Sequence, residues 1–163
     1  MIKTYQEIIS ILQVVAISGG SSIVKGFGNG YVYDVNTGEN DYPLIWVDPY
    51  MKPHRYKNGV LYLNADIYVI DLVKDDRSNE IFVISDTMRI ALDFINELKD
   101  NYSAYGFWIN KTQGSEIRFE QFSEKWDDQV SGIKFNVDFE IPDDGSTCEQ
   151  IFSTVVSSEG TVW

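Results

Sequence analysis

Ile133, Phe135, Val137, Phe139 and Ile141 alternate without a break with Lys134, Asn136, Asp138 and Glu140. A period of two over nine residues specifies a β-strand with one face on a core and the other turned away from it. A helix would scatter the same five apolar side chains around its circumference. Pro142-Asp143-Asp144-Gly145 closes the run with turn residues. Residues 59–72 repeat the pattern, with Leu61, Leu63, Ala65, Ile67 and Val69 on one side and Tyr62, Asn64, Asp66 and Tyr68 on the other. Two such strands need pairing partners and a layer that covers their apolar side.

Helices supply that layer. Ile84, Met88, Ala91, Ile95 and Leu98 recur at three and four, which predicts an amphipathic helix over 78–99. The acids of Asp75-Asp76-Arg77-Ser78 precede its start and Lys99 lies near its end, as the helix dipole favours. Thr4-Tyr5-Gln6-Glu7 fits a capping box, and Ile8, Ile11, Leu12 and Val15 follow at helical spacing. This predicts a first helix over 4–15, ended by Ser18-Gly19-Gly20.

Residues 42–50, YPLIWVDPY, are too apolar for simple alternation and read as an inner strand covered on both faces. Asp48-Pro49 stops it, and 50–58 becomes a polar loop with the local basic residues. Shorter strands are expected at 106–110 and 115–122, with a turn at Asp127-Asp128-Gln129. Residues 19–30 hold five of the twelve glycines. A phosphate loop would need Gly-Lys-Ser/Thr opening a helix, whereas here Lys25 precedes Gly26 and the strand-like Tyr31-Val32-Tyr33 follows. A bent or bulged edge strand leading to Asp34 fits better. The short connections imply an α+β fold, a mainly antiparallel sheet with two helices packed on one face. Residues 1–145 form the single expected domain, and 146–163 an extension docking on a neighbour.

With 25 acids against 13 bases and a net charge of -12, the chain lacks the basic footprint of a sequence-reading DNA binder. A negative wall past which DNA slides without adhering is compatible with that charge. Cys148 is the only cysteine and His54 the only histidine. An internal disulfide and a cysteine metal cluster are therefore ruled out, and nothing near Cys148 in sequence would activate it as a nucleophile. The pairs Asp75-Asp76 and Asp127-Asp128 lack the alternating ligands and closing glutamate of a calcium loop. No catalytic residue, metal ligand or cofactor is nominated, and the chain is expected not to be an enzyme. A small hydrolase using clustered carboxylates, Asp127 and Asp128 among them, is the alternative, and an acidic adaptor for a basic partner is another. No run approaches a membrane span, so a soluble protein made in a cytoplasm is expected. The polar sides of the two long strands are either solvated, or line a channel, or meet an identical subunit.

Several stretches together carry a resemblance. YPLIWVDP (42–49), DLVKDDRSNEIFVISDTMRIALDFINEL (71–98) and FSEKWDDQVSGIKFNVDFEIP (122–142), with Cys148 following, resemble a family of small virion proteins of tailed phages infecting Bacteroidetes, crAss-like phages included. Members of that family are tail-terminator or head-tail neck ring proteins, and the resemblance covers most of residues 25–150. It implies a structural, non-enzymatic subunit with a tail-terminator-like fold, assembled in the bacterial host cytoplasm and resident in the neck or tail of the virion. It implies a closed homo-oligomeric ring of about six or twelve copies built on heterologous interfaces. DNA would pass through the ring without specific binding, and other neck or tail proteins would be its neighbours. On this reading Trp46, Tyr50, His54, Arg55, Tyr56 and Trp163 are interface or anchor candidates. Tyr62, Asn64, Asp66, Tyr68, Lys134, Asn136, Asp138 and Glu140 are channel-facing candidates. Segments 19–30, 50–58 and 146–163 are the candidates for ordering on assembly.

Overall fold

A computed structural model describes residues 4–18, 23–37, 40–49, 54–55, 59–110, 116–125 and 128–142. In chain order its elements are α1 (Tyr5–Ser18), β1 (Gly26–Asn29), a 3-10 helix (Val32–Thr37), β2 (Leu44–Asp48), β3 (His54–Arg55) and β4 (Val60–Leu72). They continue with α2 (Glu80–Asp100), α3 (Tyr102–Tyr105), β5 (Trp108–Ile109), β6 (Phe119–Lys125) and β7 (Gln129–Pro142).

The two alternating runs pair with each other. β4 and β7 lie antiparallel along their whole length, from Val60 opposite Pro142 to Leu72 opposite Val130. This register puts Ala65 beside Val137, Ile67 beside Phe135 and Val69 beside Ile133 on one face. β2 adds Ile45 and Val47 to that face from the other side of β4. The sheet has seven strands, ordered β1-β2-β4-β7-β5, with β3 on β4 and β6 on β7. The fold is α+β, with a mainly antiparallel sheet and both long helices on one face.

Burial of the shared apolar face holds these layers together. Ile8 and Leu12 of α1, and Ala91, Phe94, Ile95 and Leu98 of α2, close over Ile67, Phe135, Val137 and Phe139. Each of these side chains except Ala91, taken fully out of water, contributes about 1.5–3 kcal/mol. The capping box forms at α1: the Thr4 amide donates to Glu7 Oε2 at 2.6 Å and the Glu7 amide donates to Thr4 Oγ1 at 3.2 Å. The helix runs to Ser18, beyond the expected stop.

α2 starts on a built corner rather than at Ser78. Arg77 takes a left-handed backbone conformation (φ 58°), and its guanidinium donates to Glu80 Oε2 at 2.9 Å. Ser131 Oγ donates to Glu80 Oε1 at 2.9 Å, tying the helix start to β7. Hydrogen bonds from Arg77, then Ser123 and Ser131, hold the Glu80 carboxyl down at about 2 against an ordinary 4.5. A depressed folded-state pKa means stability that is complete above 4.5 and lost as pH falls towards 2. Glu80→Gln is expected to flatten the acid limb of stability across that window, read from urea midpoints at stepped pH. An unchanged slope would remove Glu80 from the acid response.

Two local expectations are corrected, at Tyr31-Val32-Tyr33 and within residues 50–58. Tyr31-Val32-Tyr33 is not a strand: the chain reverses at Gly30 (φ 133°), and Val32 begins the 3-10 helix. The reason is the end of β2, where Asp48 Oδ2 accepts the Val32 amide at 3.2 Å and the Val47 carbonyl accepts the Gly30 amide at 3.0 Å. The glycine-rich strand pairs with β2 in parallel, the one departure from the antiparallel pattern among the described strands. Within the loop expected at 50–58, His54 and Arg55 form a short strand opposite Tyr62 and Leu61. α3 was not legible in the sequence; Gly106 in a left-handed conformation (φ 77°) caps it, its amide bonded to the Tyr102 carbonyl at 2.8 Å.

Candidate functional site

The face of β4 and β7 turned away from the helices carries the eight polar-side residues, and the structure sorts them. Tyr62 and Glu140, directly opposite each other, are only 1% and 2% exposed. There β3 pairs beside Tyr62 and β5 beside Glu140, so both backbones are inner positions of the sheet. Tyr68 is buried under a second, smaller apolar layer with Val35, Leu44, Trp46, Ile70 and Val130, against which Val32 and Phe122 pack. Asp138 is also buried. Of the eight channel-facing candidates, Tyr62, Tyr68, Asp138 and Glu140 are therefore buried within the single chain, and Asn64, Asp66, Lys134 and Asn136 remain accessible.

Those four, with Asp138, form a continuous ladder. Asn64 Nδ2 donates to Asn136 Oδ1 at 2.8 Å and to Asp138 Oδ1 at 2.7 Å. Asn136 Nδ2 donates to Asn64 Oδ1 at 2.9 Å and to Asp66 Oδ1 at 2.7 Å. Lys134 Nζ lies 3.2 Å from Asp66 Oδ2, and 5.6 Å above the Tyr68 ring. Diagonal and direct cross-strand neighbours make this chain possible, because every member sits on the same face at a spacing of two. Partial burial opposes the Lys134 ammonium, but Asp66 and the other negative groups around it outweigh that cost and raise its pKa. Both amide groups use their donors on one another and on carboxylates, and the one ammonium is matched by a carboxylate.

On the β6 side the ladder opens into a groove of about 330 Å³ bordered by Glu116, Arg118, Glu120 and Asn110. Arg118 Nε lies 3.1 Å from Glu116 Oε1, with both side chains well exposed. Asn110 is a residue the sequence reading passed over. Its backbone is left-handed (φ 47°), its amide donates to the Asp138 carbonyl at 3.0 Å, and its Oδ1 accepts the Asp138 amide at 2.7 Å. The residue type was the only available signal, since asparagine tolerates positive φ better than most residues. Among the described residues no group of three or more His, Cys, Asp or Glu is placed to hold a metal ion.

No protein-family model matches this sequence, and no curated protein matches it. The chemistry of the site therefore rests on its geometry.

The anchor candidates divide as well. Trp46 is 8% exposed in β2, and its indole Nε1 donates to the Gly30 carbonyl at 3.0 Å. It lies over Gly28, where any Cβ would overlap the indole ring, so glycine there is a packing requirement. His54 and Arg55 occupy β3. Tyr50, Tyr56 and Trp163 lie outside the described residues, as do Asp127, Cys148 and the extension 146–163. Asp128 is exposed. No described helix is long and apolar enough to cross a membrane.

Proposed function

We propose that this chain is a structural, non-enzymatic subunit of a ring at the neck or tail of a tailed phage, through which DNA passes. The observation that carries the reading is the ladder from Lys134 to Asp138. Its amide donors and its ammonium are engaged within the protein, while its carboxylates leave the surface negative. Such a surface ties up the donors of the ladder itself, and Glu116 and Glu120 outnumber Arg118 on the groove beside it, so that it repels phosphate, the property a passage for sliding DNA needs. Asn64, Asp66 and Asn136 are then the channel-facing residues, and the helices form the outer layer. The resemblance of 42–49, 71–98 and 122–142 to phage neck and tail ring proteins supports the same role. On this proposal the copies close head to tail in a ring, with other neck or tail proteins stacked on it.

Native mass measurement and negative-stain microscopy of the purified chain, with a search for it in purified particles, test the reading. Closed rings and presence in virions are expected. A chain that stays monomeric at every concentration and is missing from particles would sink the proposal.

A further inference from the structure

Beside the ladder, the sheet face changes character. Val32, Tyr33, Tyr68, Phe122, Glu124 and Lys134 line a second groove of about 280 Å³. Tyr33 stands at its lip 81% exposed, and Tyr31 on the same turn of chain is 69% exposed. Glu120 and Glu124 are both exposed on this face of β6, opposite Lys134 and Val130 of β7. The lone cation of the groove, Lys134, is already matched by Asp66 at 3.2 Å. The surface is thus an aromatic slot with an acidic border, suited to a cationic segment that also carries aromatic or proline residues.

One stretch of this chain has that composition. Residues 50–58, YMKPHRYKN, contain Lys52, Arg55 and Lys57 with no acid, in a chain of net charge -12. They also contain Tyr50, Pro53 and Tyr56. Its two described residues, His54 and Arg55, form β3 opposite Tyr62 and Leu61. The groove lies towards the opposite end of the β4–β7 ladder, where Tyr68 pairs with Lys134. His54 and Arg55 and the groove thus lie towards opposite ends of the β4–β7 ladder, so a contact between the segment of one copy and the groove of another is heterologous and propagates from copy to copy.

We propose that the groove of Tyr33, Tyr68, Phe122 and Glu124 is the docking site for the basic 50–58 segment of a second copy of this chain. The inference rests on the ring reading and specifies the interface that builds the ring. Charge attraction steers the encounter, and the aromatic slot holds the segment once it is seated.

The test uses the full chain and its native mass at low and high salt. Glu120→Lys with Glu124→Lys forms an acceptor-reversed protein; Lys52→Glu with Arg55→Glu forms a donor-reversed one. Each alone is expected to weaken assembly by about tenfold or more, and added salt is expected to weaken the wild type in the same direction. Mixing the two reversed proteins, or combining all four changes in one chain, is expected to restore assembly, because each mismatched surface regains an opposite partner. Circular dichroism checks that the variants remain folded. Reversed variants that assemble like the wild type would overturn the docking site and leave the ring reading standing. A wild type that never assembles would overturn both. Reversed variants that stay dissociated when mixed would overturn the pairing of these two surfaces, as would capture of a basic peptide by the groove with no effect on mass.

Discussion

Gly132→Ala is expected to remove a large share of the folding stability of the chain. Gly132 lies inside β7, opposite Ile70 of β4 and Phe122 of β6. A Cβ on it would overlap the Val69 carbonyl oxygen and stand 3.2 Å from the Ile70 Cα. Both obstacles are backbone, so no rotamer change relieves the overlap. Nor can β4 retreat, because β2 pairs with it on its other side from Leu44 opposite Ile70 to Asp48 opposite Asp66. Relief requires breaking the central ladder of the sheet. A loss of about 4–5 kcal/mol or more is expected, against a typical total of about 5–15 kcal/mol. Thermal melts and urea midpoints give the readout. Asn136→Ala on the same strand is the control: its side chain is exposed, and its loss should cost about 1 kcal/mol. A Gly132→Ala protein that melts close to the wild type would refute the close approach of β7 to β4.

Where the sequence spoke in periods, it spoke reliably. The alternation in 133–141 and 61–69 placed both central strands and the face that meets the helices, because period two has no other folded solution. The Thr4/Glu7 box located the start of α1, because both halves of the signal lie within one turn. Polar residues on the far face were legible as a set, but not their sorting. Tyr62 and Glu140 look the same in sequence as Asn64 and Asn136, yet they are buried where β3 and β5 pair beside them. The ladder itself depends on register across the β4–β7 pair, which periodicity alone leaves open.

The glycine-rich stretch does form an edge strand over Gly26–Asn29, but the expected strand-like continuation failed for a related reason. Tyr31-Val32-Tyr33 has high strand propensity, yet Asp48 and Val47 of β2 capture the Val32 and Gly30 amides and turn the chain into a 3-10 helix. Propensity yields to tertiary hydrogen bonds whenever those satisfy the same backbone donors. Gly28, too, has a role only with Trp46 in place above it.

That pairing makes Trp46→Ala the second large effect. The indole is nearly fully buried, packs with Val35, Leu44, Tyr68 and Ile70, and donates to the Gly30 carbonyl at 3.0 Å. Removing it leaves a cavity between the sheet and the 3-10 helix, and a loss of about 3–5 kcal/mol is expected. Trp46→Phe keeps most of the contact but loses the donor, at about 1 kcal/mol for the hydrogen bond. The consequence reaches the proposed docking groove, because the second layer positions Val32 and Tyr33 along it. Trp46→Ala should therefore weaken self-association even under conditions where the helices and central strands remain folded. A thermodynamic cycle sharpens the prediction. Gly28→Ala alone drives a methyl group into the indole, whereas in the Trp46→Ala background the methyl group enters the space the indole has left. The double variant is expected to be more stable than the sum of the single losses implies, by about 1–3 kcal/mol. Strict additivity would mean that the tryptophan does not occupy the space above Gly28, and that the glycine there has some other cause.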